Sequence, residues 1–359
     1  MNRLHFLALD GLRGVAALAV VIYHRRWLGP DGHAFDHGFL AVSFFFVLSG
    51  LVIDHAYRER LQGAMTLGRF ILKRVIRLYP LIILGAILGA ILQLYLKRTV
   101  SGEYLSILSA FPFTALALPA PAGLLTEPFK LNPPTWSLFN ELIANLVFAT
   151  ILYRLSSRTL LALTIIASAA LVWMAFSVGT INSGYRYGEI ANGLIATAAP
   201  FMIGMLLNRI KFSPPSFFRL PFWLASVILL ITFAIPTLPT YVEPIYQLIL
   251  ALIFYPALII LIKTSDVTGP WKKVAYLSGY ISYPVYALHY PLLSMFDRIM
   301  EKVGGSSVAW LAIMTVGSVV IAAIVSFLVE EPVRRWLSQI NRSGKASAPL
   351  PASSPGRHI

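Results

Sequence analysis

The chain has 359 residues, 57% of them hydrophobic and only 12% charged, and its mean hydropathy of +0.74 lies far above that of a soluble domain. That balance excludes a water-soluble globular fold, and the absence of cysteine excludes a disulfide framework, a thiolate metal site and a thiol nucleophile. The net charge of +14 is no nucleic-acid surface, because Lys and Arg cluster in the short loops between apolar segments, where they set membrane topology.

Apolar segments long enough for a hydrocarbon core of about 30 Å recur from end to end. They predict helices near 10–27, 39–57, 75–96, 136–155, 159–178, 190–208, 220–238, 244–263, 277–297 and 308–330, the ten spans of an all-α integral membrane protein. Residues 104–120, interrupted by Pro112, read as an interfacial or re-entrant segment rather than an eleventh crossing. With the N-terminus in the cytoplasm, Arg3 and the stretches 58–77, 154–158, 209–219, 263–273 and 334–357 place twenty of the 29 Lys and Arg inside. Eight fall on the other side and Arg13 lies within the first helix, so both termini are expected in the cytoplasm. The first segment is too polar at its ends for a signal peptide and is expected to stay in the mature fold. The transmembrane domain is expected over 1–337, followed by a disordered cytoplasmic tail over 338–359, rich in Ser, Pro and Ala.

In the first helix Arg13 and His24 are eleven residues apart, three turns plus about 20°, so Arg13, Ala17, Val20 and His24 form one stripe. Two readings stand side by side: the pair anchors the helix at the two headgroup layers, or the stripe faces the bundle interior and works there. In the second helix Ser43, Ser49 and Gly50 interrupt an aromatic run, as close helix packing requires. Lys73, Arg74 and Arg77 then make a cationic face where the third helix begins, either a lipid-touching anchor or a phosphate-recognising mouth. Trp136 and Glu141 open the fourth helix from the opposite side, and Glu141, roughly 8 Å below that surface, is expected to share a cavity with His24. Near 277–297, Pro284 and Pro291 are expected to break or kink the helix, with Ser282, Tyr283, Tyr286 and His289 as polar tips at depth. Glu330 and Glu331 close the last span and are expected to form salt bridges with basic residues.

These segments together resemble the membrane acyltransferase-3 family, bacterial enzymes that O-acylate cell-surface and secreted polysaccharides and some small molecules. The resemblance rests on LDGLRGVAALAVVIYH (9–24), FFFVLSG (44–50), KRVIRLYP (73–80), TWSLFNE (135–141), ISYPVYALH (281–289) and the EEP at 330–332, in the family's order across residues 8–335. It implies that His24 is the essential catalytic histidine with Arg13 as its companion, and that Arg74 and Arg77 belong to a cytoplasmic acyl-CoA entrance. It further implies that Trp136 and Glu141 line the site, and His289 is grouped with the substrate-contacting residues. Ser43 stands where many members carry an acid or amide, and the esterase-like domain that many relatives append has no counterpart in a tail of some two dozen residues. Acceptor handling is therefore expected from the membrane domain or a partner.

The implied function is transfer of an acyl group, acetyl first, from acyl-CoA to a hydroxyl of a cell-surface or secreted carbohydrate or small molecule. The expected setting is the bacterial inner membrane, amid membrane lipid, with acyl-CoA as co-substrate, no permanently bound cofactor, no metal and no nucleic acid. Either His24 takes the acceptor's proton directly, or its imidazole is acylated first; the sequence supports both. The rival is a transporter or flippase of a lipid-linked glycan, which would carry an inverted internal repeat; none is visible between the halves.

Overall fold

The computed structural model describes residues 6–24, 35–97, 103–210, 215–303 and 308–346, and the described chain is helical, with one isolated β-bridge between Ala122 and Leu125. In order the helices are α1 (Leu7–His24), α2 (Ala41–Gln62), α3 (Leu67–Lys97), α4 (Glu103–Ala115), α5 (Thr135–Thr150), α6 (Ser157–Val178) and α7 (Ile190–Arg209). They continue with α8 (Phe222–Ala234), α9 (Glu243–Ile249), α10 (Tyr255–Ile262), α11 (Pro270–Val303), α12 (Val308–Val325) and α13 (Glu331–Ala346). A π-helical turn over Leu250–Phe254 joins α9 to α10, and another over Ser326–Glu330 joins α12 to α13. Residues 347–359 of the expected tail, with Arg3, Arg25, Arg26, Arg98 and Lys211 of the topology count, lie outside the described residues.

Every expected span falls on a helical segment. Among the described residues, seven are long and apolar enough to cross a membrane: Leu7–His24, Gly38–Gln62, Leu67–Leu96, Ser157–Val178, Ile190–Arg209, Glu243–Ile262 and Ala312–Gln339. The other three fall short for separate reasons. α5 and α8 have only 16 and 13 residues, and α11, with 34, is diluted by Ser, Tyr and His. The 104–120 segment becomes α4, 13 residues with Pro112 inside, tied to the α4–α5 loop by Lys130, whose Nζ lies 2.9 Å from Glu103.

Glycine brings the helix pairs into backbone contact, as expected where lipid supplies no hydrophobic drive between helices. A Cβ on Gly14 would lie 2.1 Å from the Ser278 carbonyl oxygen, and one on Gly279 2.8 Å from Asp10 Cβ, so α1 and α11 meet with nothing between them. Gly50 of α2 and Gly204 of α7 do the same, each with a carbonyl 1.9 Å from where its Cβ would be. At the end of that pair the buried Asp54 carboxylate takes three bonds from Arg209 and one from Asn208, and Arg209 caps the Leu152 and Leu155 carbonyls.

Contacts also order the bundle along its axis. Gly11, Arg13 and His24 of α1 meet Ser278, Ser282 and His289 of α11 in ascending order, so the two helices are parallel. α5 begins beside Tyr286 and ends where Arg58 and Gln62 of α2 reach the Tyr153 carbonyl. α8 begins with Phe222 against Gly11 and ends with the Phe233 carbonyl accepting from the His37 amide. α8, about 20 Å long, reaches from the start of α1 to the His37 segment, whereas α5, about 24 Å long, begins inside the bundle beside Tyr286.

The expected break in α11 does not occur: the helix runs continuously through Pro284 and Pro291. Pro291 has no N–H to give the Ala287 carbonyl, and the Asn132 side chain donates to that oxygen instead, at 2.9 Å. A partner from another segment thus satisfies the carbonyl that Pro291 leaves without its helical donor.

Candidate active site

The Arg13–His24 stripe faces α11. Arg13 Nε donates to Ser282 Oγ at 2.9 Å, its Nη2 lies 3.3 Å from Asp10, and Ala17 and Val20 between are buried. At the far end of α1, His24 meets His289, with Nδ1 and Nε2 3.3 Å apart. His289 is fully buried, and its Nδ1 sits 2.7 Å from the Tyr286 carbonyl, which can only accept, so that nitrogen carries the proton. In the neutral ring His289 Nε2 is then an acceptor. His24 Nδ1 faces this nitrogen and the Val20 carbonyl, 3.0 Å away, so it is the donor to both and the basic lone pair of His24 belongs to Nε2.

Two cavities flank this arrangement. A basic cavity of about 100 Å³ lies where α1 and α3 begin, and Asp10, Arg13, Arg74, Arg77 and Glu141 line it together with apolar side chains such as Leu9, Phe45 and Leu138. Arg74 is buried and its Nη2 lies 2.7 Å from Glu141 Oε1, which also accepts from Ser49 at 3.1 Å. Arg74 Nε has no hydrogen-bond partner among the described residues. Arg77 is exposed and lines the cavity, whereas Lys73, the third cation of the expected face, does not. An aromatic cavity of about 580 Å³ lies where α1 ends, lined by His24, Tyr23, Trp136, Tyr185, Arg186 and Tyr290 among others. Among the described residues only Val42 and Tyr286 line both cavities.

One expectation is therefore corrected: His24 and Glu141 do not share a cavity. The depth of Glu141 follows from where α5 starts, and α5 does not start at a surface. Phe129, Leu131 and Asn132, just ahead of it, are buried, so the helix begins inside the bundle and Glu141 lies a further step along, beside Arg74. The neighbour of His24 is His289, which the sequence had placed among the substrate contacts. Trp136 does open onto the His24 cavity. Glu330 and Glu331 pair within their own helix, with Arg334 at 3.5 Å and Arg335 at 2.5 Å.

Several site residues escaped the sequence reading. Asp10 and Ser137 carry no periodic signal, and Ser49, read as a packing residue, is a donor to Glu141. The stretch NSGYRYGE at 182–189, with left-handed Gly188 at φ 83°, supplies Asn182, Tyr185, Arg186 and Tyr187 to the aromatic cavity; its polar and aromatic mix was the available cue. Among the described residues no group of three or more His, Asp or Glu side chains is placed to hold a metal ion.

A helical bundle with a basic cavity, an aromatic cavity and a paired histidine lining the aromatic one is the frame of a membrane group-transfer enzyme. The family model described as an acyltransferase domain matches residues 6–327, and the chain belongs to the acyltransferase-3 family. It is similar to peptidoglycan O-acetyltransferase OatA of Listeria monocytogenes, 24% identical over 93% of this chain and 56% of that protein. It is also similar to the putative peptidoglycan O-acetyltransferase YrhL of Bacillus subtilis, 26% identical over 91% of this chain and 54% of the other. The chain thus spans about half the length of these two relatives. Protein 2 in the picA locus of Rhizobium radiobacter is 41% identical over 40% of this chain and 81% of its own length. No solved structure matches the chain.

Proposed function

We propose that the protein transfers an acyl group, acetyl above all, from cytoplasmic acyl-CoA to a hydroxyl of a cell-surface or secreted carbohydrate, working in the bacterial inner membrane through ten crossings. The observation that carries this reading is the pair of cavities of opposite character, one basic and one aromatic, which share Val42 and Tyr286 in their walls, with His24 lining the aromatic one. O-acetyltransferase is also what the names of the two peptidoglycan-acting relatives say of them.

In this mechanism Arg74 and Arg77 receive the anionic donor at the basic mouth, where guanidinium forks suit phosphate oxygens. Glu141 holds the buried Arg74 in place, and the Arg74 Nε without a partner is a donor left for the acyl-CoA. The acceptor's sugar ring lies against Trp136 and the tyrosines of the aromatic cavity. Its hydroxyl oxygen bonds to the thioester carbon while the proton passes to His24 Nε2. The carbon–sulfur bond breaks, and the CoA thiolate leaves and takes up the proton. As His24 becomes cationic, its Nδ1–H stays directed at His289 Nε2 and the Val20 carbonyl, which spread that charge.

The test is His24→Ala at matched protein level, read as transfer from labelled acetyl-CoA in native membranes. The variant should insert normally, because a methyl group costs no more to place in lipid than an imidazole. Transfer should fall by about 10²–10⁴-fold, the usual contribution of a general base. Near-parental transfer would sink the assignment.

A further inference from the structure

We propose that Tyr286 and Val42 form a gate between the two cavities that limits the transferred acyl group to acetyl size; this rests on the acyl-transfer reading above. Among the described residues they are the only two that line both cavities, and they come from different helices, α11 and α2. Anything attached to the thioester carbon has to pass between them to reach the side on which His24 lies.

The gate is built to stay narrow. Ser137 Oγ donates to the Pro134 carbonyl at 2.9 Å, which uses its one proton, so the Tyr286 hydroxyl is the donor in the short bond between Tyr286 and Ser137. The Tyr286 ring stands edge-on to Phe45, with centroids 5.4 Å apart at 86°, and the Tyr286 backbone carbonyl accepts from His289 Nδ1. A ring fixed at its hydroxyl, its edge and its backbone cannot swing aside as a solvent-facing tyrosine would. Close-packed walls discriminate sharply by size, since each added methylene needs volume that fixed neighbours do not yield.

The experiment compares acetyl-CoA with butyryl-CoA, both labelled, at equal concentration in native membrane vesicles, which hold the natural acceptor. The parent should transfer acetyl far faster than butyryl. Tyr286→Ala and Val42→Ala, which open the gate from opposite sides, should each raise the butyryl-to-acetyl rate ratio by about tenfold or more, the scale at which a pocket distinguishes a methylene. Tyr286→Phe keeps the ring and should keep the parent's preference, while Ser137→Ala releases the ring and should give an intermediate ratio. Should Tyr286→Ala fail to accumulate, Val42→Ala decides alone. Unchanged ratios in the opened variants that still transfer acetyl would overturn the gate, as would a parent indifferent to chain length. A parent that transfers from neither thioester overturns the acyl-transfer reading itself, which is a different result.

Discussion

In the proposed mechanism His289 acts on substrate only through His24, as a positioning residue. Its Nε2 lone pair fixes the His24 tautomer in the way a carboxylate does in hydrolase triads, without bringing a charge into the bundle. His289→Leu should therefore lower kcat by about tenfold to a hundredfold, less than the loss of His24 itself, and leave the KM for acyl-CoA unchanged. His289→Gln, whose amide oxygen can accept from His24 Nδ1, should recover part of kcat. A rise in KM with kcat intact would show that His289 binds the donor instead. At this scale the sequence revealed the Arg13–His24 stripe through simple helical arithmetic, and the structure sets that stripe against α11. It could not reveal the His24–His289 contact, which joins positions 265 apart and depends on a helix crossing that no periodicity records. Glu141 misled for a related reason: counting residues from the start of a helix gives depth only when the helix starts at the surface.

Among the elements, α1 and α11 carry the site, and glycine decides how near they come. A methyl group on Gly14 would overlap both the backbone and the hydroxyl of Ser278, neither of which can withdraw. Gly14→Ala should destabilise the protein by about 1–3 kcal/mol through overpacking, seen as earlier thermal unfolding in detergent. It should also depress transfer beyond what stability explains, because the same separation sets the Arg13–Ser282 and His24–His289 distances. Gly68, in the first turn of α3 with nothing within 4 Å of its missing Cβ, is the contrast, and Gly68→Ala should be neutral or stabilising by up to about 1 kcal/mol. Equal behaviour of the two variants would remove the packing argument. Helix positions were legible in the sequence because apolar length is a strong signal. The continuity of α11 was not, since the group that rescues the Ala287 carbonyl comes from Asn132, in a loop far away in the chain.

For the whole molecule, the proposed ten crossings follow from direction as much as from hydropathy. α1 and α11 run parallel, α8 runs with them and α5 runs the opposite way, directions that ten crossings with α4 apart accommodate. Reporter fusions at Pro30, Ser157, Pro215 and the C-terminus should report outside, inside, inside and inside, and a C-terminus found outside would remove both the count and the orientation. The basic-residue asymmetry is the sequence's argument for this orientation. In the proposed orientation, with the basic cavity on the cytoplasmic side and the aromatic one on the outer side, the two cavities have an electrical consequence. Where wet clefts enter a bilayer protein from opposite ends, the insulating layer shrinks to what separates them, here the Val42 and Tyr286 side chains. The transmembrane voltage, about 2.3 kcal/mol per elementary charge per 100 mV, is then concentrated across one aromatic ring instead of some 30 Å of hydrocarbon. A phenol bonded to a serine hydroxyl carries no net charge through that field, so the thinnest part of the protein can hold the voltage while remaining polar enough to lie beside a reaction.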